Sequence, residues 1–241
     1  MTTLVRITIA LILTILFSSC GFDINFGSGI KGNGVVQEEN RTVNGDFTAV
    51  SVSEGLDVYV TQGGEFKILV EADENVIDLI ATDQKNGTLR IHTIQNIGRA
   101  TKKIYVTLPK ITALEASSGA DLITENTIDA ETIDLNASSG ADMEITDLRA
   151  EKVNAGSSSG ADIKIGGEAK TLYSKASSGS EIKANGLIVG ECLANASSGA
   201  RIIVNATESL IAEASSGGNI QYMGTAKVEK RKSSSGSVSQ F

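Results

Sequence analysis

A Ser-Ser-Gly tripeptide returns through the second half of the chain, with its glycines at Gly119, Gly140, Gly160, Gly179, Gly199, Gly217 and Gly236. Successive intervals are 21, 20, 19, 20, 18 and 19 residues. A period near twenty held over seven copies means a solenoid, each repeat one coil stacked on the last. Three places after each glycine stands an apolar column: Leu122, Met143, Ile163, Ile182, Ile202 and Ile220, ending at Ser239. Two places further on, a second column reads Thr124, Ile145, Ile165, Ala184, Val204, Tyr222 and Phe241, with mostly polar residues between the two. That alternation belongs to a half-buried strand. Another strand precedes the tripeptide, with Ile133, Val153, Leu172, Cys192 and Leu210 in one inward column, and the apolar pattern fails in the last copy at Glu229 and Arg231. Ser-Ser-Gly is therefore a corner, where glycine supplies positive φ and small hydroxylated residues satisfy turn amides. Helical solenoids use units of roughly 33 to 47 residues. The chain is all-β, a single parallel β-helix-like solenoid.

The first half repeats this logic less regularly. Ser53-Glu54-Gly55 occupies a corner and Leu56 to Val60 the strand after it. From Gly55 to Gly119 is 64 residues, which predicts about three further coils at the later period. Alternating segments around Phe66-Ile68-Val70, Leu89-Ile91 and Ile104-Val106-Leu108 fill the interval, and Asn86-Gly87 is a turn signal. The run from Asp73 to Thr82 lacks alternation and reads as a short helical turn or a protruding loop.

The beginning of the chain sets the compartment. An apolar run from Ile7 to Phe17 follows Arg6 and is too short to span a bilayer. It ends in Phe17-Ser18-Ser19-Cys20-Gly21, which resembles a bacterial lipoprotein box with Cys20 as the lipidated residue. The expected organisation is a signal peptide over 1–19, the lipidated Cys and a flexible tether over 20–35, and the solenoid over 36–241. The net charge of −8 and the lack of a basic stripe argue against a nucleic-acid partner. With Cys20 acylated, Cys192 has no disulfide partner and reads as core.

The side chains two places after each corner glycine form an acidic column: Asp57, Asp121, Asp142, Asp162 and Glu181, continuing as Arg201, Asn219 and Val238. Stacked carboxylates at about 4.8 Å per coil repel unless solvated, hydrogen-bonded or neutralised. A solvated edge is the plain expectation. A ligand-binding ladder, with Ca²⁺ as the hard cation such oxygens would take, is the functional one. No cofactor is otherwise implied. The enzymatic reading, a carbohydrate-active β-helix, needs long loops and convergent carboxylates. Coils whose length varies by only three residues supply no such walls. His92, the single histidine, sits at an alternating strand position without an evident partner in sequence.

The order FTAVSVSEGLDVYVTQGG, VEADENVIDLI, NGTLRI, IYVTLPKITALEASSGAD and then SSGAD-type repeats resembles the head GIN-domain family of auto-transporter adhesins, common in Bacteroidetes-type envelope proteins. The resemblance covers roughly residues 36–241. It implies a right-handed parallel β-helix-like fold and a cell-envelope location, and it brings no catalytic residues. The function expected is a non-enzymatic, adhesin-like or ligand-binding lipoprotein of the outer membrane, on its periplasmic face or at the cell surface. Its partners would be the membrane, through the lipid, and a glycan or protein. A periplasmic structural or signalling accessory binding a protein is the alternative. Phe241 in the inward column predicts an uncapped final coil, open to solvent or buried by a second protomer.

Overall fold

The computed structural model describes residues 29–232 and 235–241. Cys20 and the signal segment lie outside the described residues. Seventeen strands form one continuous hydrogen-bonded sheet. In chain order they are β1 (Val36–Asn40), β2 (Ala49–Val52), β3 (Asp57–Gln62), β4 (Lys67–Asp73), β5 (Ile80–Lys85), β6 (Thr88–Thr93), β7 (Lys102–Leu108), β8 (Ala113–Ala116) and β9 (Asp121–Thr124). They continue as β10 (Ile128–Ala137), β11 (Asp142–Ser157), β12 (Asp162–Ala176), β13 (Glu181–Ala196), β14 (Arg201–Ala214), β15 (Asn219–Met223), β16 (Lys227–Lys232) and β17 (Ser237–Gln240). From β8 to β17 every pairing is parallel and joins a residue to its counterpart one coil on, as in a β-solenoid.

The corners hold this register. Ser118 and Gly119 both have positive φ, 54° and 70°, and the Ala120 N–H returns to the Ser117 carbonyl at 3.2 Å. Two positive φ angles closed by that bond are the mark of a type I′ turn. The same serine–glycine pair recurs at Ser139, Ser159, Ser178, Ser198 and Ser216. Each corner glycine also donates to the next coil's serine carbonyl, from Gly55 to Ser118 and Gly119 to Ser139 onward, at 3.0–3.1 Å. The intercoil ladder therefore runs round the bend without a break.

The inward columns form one core that includes Leu122, Met143, Ile163, Ile182, Ile202 and Ile220. Cys192 lies in it between Leu172 and Leu210. Buried hydroxyls of the core are paired, whereas Arg41 Nε and Asn219 Oδ1 are buried without a hydrogen-bond partner. Thr124 Oγ1 accepts from the Thr146 amide at 3.1 Å, and Ser157 Oγ donates to the Ala161 carbonyl at 2.7 Å. Bonds of this kind offset the desolvation that an unpaired hydroxyl would suffer.

The first half departs from the expected winding. The coil of Gly55 lies directly against that of Gly119, with Asp57 in register with Asp121 and Val58 with Leu122. The intervening 64 residues do not form three stacked coils; they build a cap on the other side of β2 and β3. There β6 and β7 pair in parallel with β2 and β3, while β4 runs antiparallel to β7, β1 to β4, and β5 to β6. Asn86 and Gly87, with φ of 53° and 75°, make the tight hairpin between β5 and β6. Ile77–Leu79 is a short 3-10 turn. The segment read as the end of a tether is fixed from Ile30 on: Gly34 N–H donates to Asp73 Oδ1 at 2.9 Å, and Gly98 N–H to the Ile30 carbonyl at 3.0 Å.

The last coil slips by one residue against its Ser-Ser-Gly alignment. Val238, not Ser239, pairs with Ile220 and is buried, and Ser237, not Val238, follows Asn219 in the acidic column. Val228, not Glu229, follows Leu210. Phe241 is not in the inward column: Gln240 pairs with Tyr222, and Phe241 is 72% exposed. Lys230 takes the place of Ala212, its Nζ bonded to the Val238 carbonyl at 3.4 Å and 5.1 Å from the Tyr222 ring centre. The edge strand β16, with Lys227, Glu229, Lys230 and Arg231, carries charge that discourages unwanted strand pairing.

Candidate functional site

The acidic column is a true ladder. Asp57, Asp121, Asp142, Asp162 and Glu181 stand in register on five successive coils, with Lys103 beyond one end and Arg201 beyond the other. At the Glu181 end the charge is compensated. Lys183 Nζ lies 3.1 Å from Glu181 Oε2 and 3.6 Å from Asp162 Oδ2, and Arg201 Nη1 is 3.6 Å from Glu181 Oε1. The Asp121 end is not. Partial burial raises the Asp121 carboxyl above its ordinary range, and the flanking Asp57 and Asp142 raise it further. Burial likewise raises Asp57, opposed by Lys102 and Lys103. Among the described residues no group of three or more His, Cys, Asp or Glu side chains converges to hold a metal ion. Part of the ladder walls an open trough of about 360 Å³ that also contains Lys164 and Lys183.

His92 has a partner that its sequence position did not reveal. Its Nε2 lies 2.8 Å from Asp83 Oδ2, because the antiparallel β5–β6 hairpin brings the two strands together. The pair is part of the cap. Cys192 is buried, and burial pushes its thiol up to about 12, so it lacks the thiolate character of a nucleophile.

Three further depressions lie on the outer faces. A trough of about 960 Å³ has Ala130, Ala150 and Ala169 along its floor and charged walls that include Asp129, Arg149, Glu168 and Lys170. On the strands before the corners, depressions of about 490 and 410 Å³ share Asn136, Gly156 and Lys175. The smaller one is walled by Tyr173, which is 43% exposed. Sequence columns gave no warning of this place. The visible signal was the Gly in Asn-Ala-Gly-Ser-Ser-Ser-Gly, where the neighbouring coils carry Asn136 and Lys175.

Residues 46–226 match the family model described as "Putative auto-transporter adhesin, head GIN domain". The chain belongs to this family. Solved structures share the GIN-domain fold. A "putative adhesin" from Bacteroides fragilis is 21% identical with a TM-score of 0.76, covering 88% of this chain and 100% of its own. A "putative adhesin" from Parabacteroides merdae is 20% identical with a TM-score of 0.70, covering 88% and 98%. A "putative lipid binding protein" from Parabacteroides distasonis is 20% identical with a TM-score of 0.72, covering 88% and 99%. No curated protein matches this GIN domain. Among its described residues no helix is long and apolar enough to cross a membrane.

Proposed function

We propose that this GIN-domain chain is a non-enzymatic, envelope-anchored lipoprotein whose solenoid binds an extended ligand in the manner of an adhesin. The observation that carries the reading is the surface itself. Outward side chains repeat at the coil spacing of about 4.8 Å along open troughs, and those troughs follow the long axis of the stack. A polymer with a comparable repeat meets the same kind of group at each coil. The adhesin-head family supports the assignment, and Cys20 at the end of the apolar leader supports the anchor. Polar, solvent-open troughs suit a glycan or a protein strand better than a lipid chain.

Two measurements test it. Replacing Cys20→Ser should release the protein from the membrane fraction and abolish its acyl labelling. Protease treatment of intact cells should cleave the anchored protein. Complete resistance would favour the periplasmic accessory instead.

A further inference from the structure

Gly156 is a glycine the fold does not require. Five glycines lie within strands of the stacked coils: Gly156, Gly166, Gly167, Gly186 and Gly190. At four of them an added Cβ would press on backbone, namely the carbonyls of Thr146, Leu148, Ile165 and Lys170, and Gly167 also has a φ of 116°. At Gly156 it would meet only the tip of Asn136, Oδ1 at 2.8 Å, and φ is not positive. The register is regular there, Asn136 to Gly156 to Lys175, with no bulge. A glycine in a regular strand weakens it, and such glycines mark places where something approaches the backbone closely.

We propose that the outer face centred on Gly156 is a glycan-binding site, in which a neutral sugar chain lies across the coils against Tyr173. This rests on the ligand-binding reading above and narrows the ligand to a glycan. The two depressions before the corners meet at Gly156, where the missing side chain lowers the floor between them. Tyr173, 43% exposed, offers its ring to the apolar C–H face of a pyranose, with the Lys152 ammonium 4.9 Å over the ring centre as a cation–π partner. Around it stand groups that match vicinal hydroxyls. Asn154 Nδ2 is held by Asp134 Oδ1 at 2.6 Å and Asn195 Nδ2 by Glu213 Oε2 at 3.1 Å, so both amide oxygens remain to accept. Lys175 offers an ammonium donor.

Charge selects the ligand class. Asp134 and Lys175 line the Tyr173 depression, with Lys152 over the ring and Glu213 bonded to Asn195, so the charges balance and favour a neutral chain over a polyanion or polycation. A peptide adding itself as a strand is not served, because β11 and β12 are already paired on both sides.

The test uses the protein with Tyr173→Ala and, separately, Gly156→Lys, which raises the floor against a flexible neighbour. Titrating cello-, manno- and chito-oligosaccharides should reveal binding of at least one class by the wild type. Each variant should bind that class about tenfold more weakly or worse while keeping the wild-type melting temperature. If Gly156→Lys does not fold, Tyr173→Ala, which alters an exposed ring, decides the matter. Binding undiminished in the variants overturns the site, and so does a wild type that binds none of these sugars. A wild type that adheres to cells through protein, unaffected by Tyr173→Ala, leaves the adhesin reading standing while the glycan site falls. Neither sugar binding nor cell adhesion removes both.

Discussion

Asp121→Asn should stabilise the protein at neutral pH. Asp121 is flanked in register by Asp57 and Asp142, and among the described residues no cation forms an ion pair within 4 Å with any of the three, unlike Glu181, which has Lys183 and Arg201 within 4 Å. Coulomb repulsion at a coil spacing of about 4.8 Å is about 0.9 kcal/mol per neighbour in water before salt screening. The outward carboxylates face solvent, so about 1 kcal/mol for both neighbours is the discounted value. In a domain of this size that corresponds to a rise of about 2–4 °C in melting temperature. The sign with pH follows from the raised carboxyl. Between its ordinary value, about 3.9, and its higher folded value, the folded state holds more protons than the unfolded one. Wild-type stability therefore falls as pH rises through that window, whereas the asparagine variant lacks this loss. Thermal melts in low salt with chelator, from neutral to acid pH, should show a gain that fades on acidification and shrinks with added salt. A variant less stable than wild type at neutral pH would refute the reasoning. A calcium-dependent gain in the wild type alone would show instead that the ladder holds a cation.

Other expectations follow from the corners and the core. Gly119→Ala should cost about 1 kcal/mol, since only its φ of 70° resists the change and nothing lies near the new methyl. Gly218→Ala should cost about 3 kcal/mol because the Cβ would collide with the Ala196 carbonyl; equal losses in denaturant melts would contradict this distinction. Cys192 should resist thiol reagents in the native state and react at once on denaturation, given its burial and its thiol at about 12. Paired Asp57→Cys and Asp121→Cys substitutions should oxidise to an intrachain disulfide, because adjacent strands place the Cα atoms about 4.8 Å apart. A separation of three coil steps would place the pair about 14 Å apart and prevent it.

The repeated half was legible because one column, one corner and one period specify each other. Ser118 and Gly119 could be assigned to a corner, and Leu122 and Ile163 to the interior, without any knowledge of partners. The stretch from Phe66 to Leu108 was not. Alternation identifies a strand but not its direction or neighbour, so a parallel stack and the antiparallel cap of β4 and β5 leave the same pattern. Asp83 and His92 meet only through that unforeseen hairpin. The last coil misled because its glycine sits one place later in a corner of unchanged length, so aligning Gly236 with Gly217 rather than Gly218 exchanges the faces of Val238 and Ser239. In the candidate site, Asp57 through Glu181 were placed as a ladder from sequence. Gly156 escaped notice because small residues crowd every corner, and its significance lies in the space above it.

The most direct measurement of where this GIN domain binds is amide and side-chain chemical-shift mapping with the tightest-binding neutral oligosaccharide. Perturbations should group at Asn136, Asn154, Gly156, Tyr173, Lys175 and Asn195, with the acidic ladder and the cap unchanged. Perturbations centred on Asp121 and Asp142, or on the β1–β4 cap, would contradict this placement, as would a spectrum that no oligosaccharide alters.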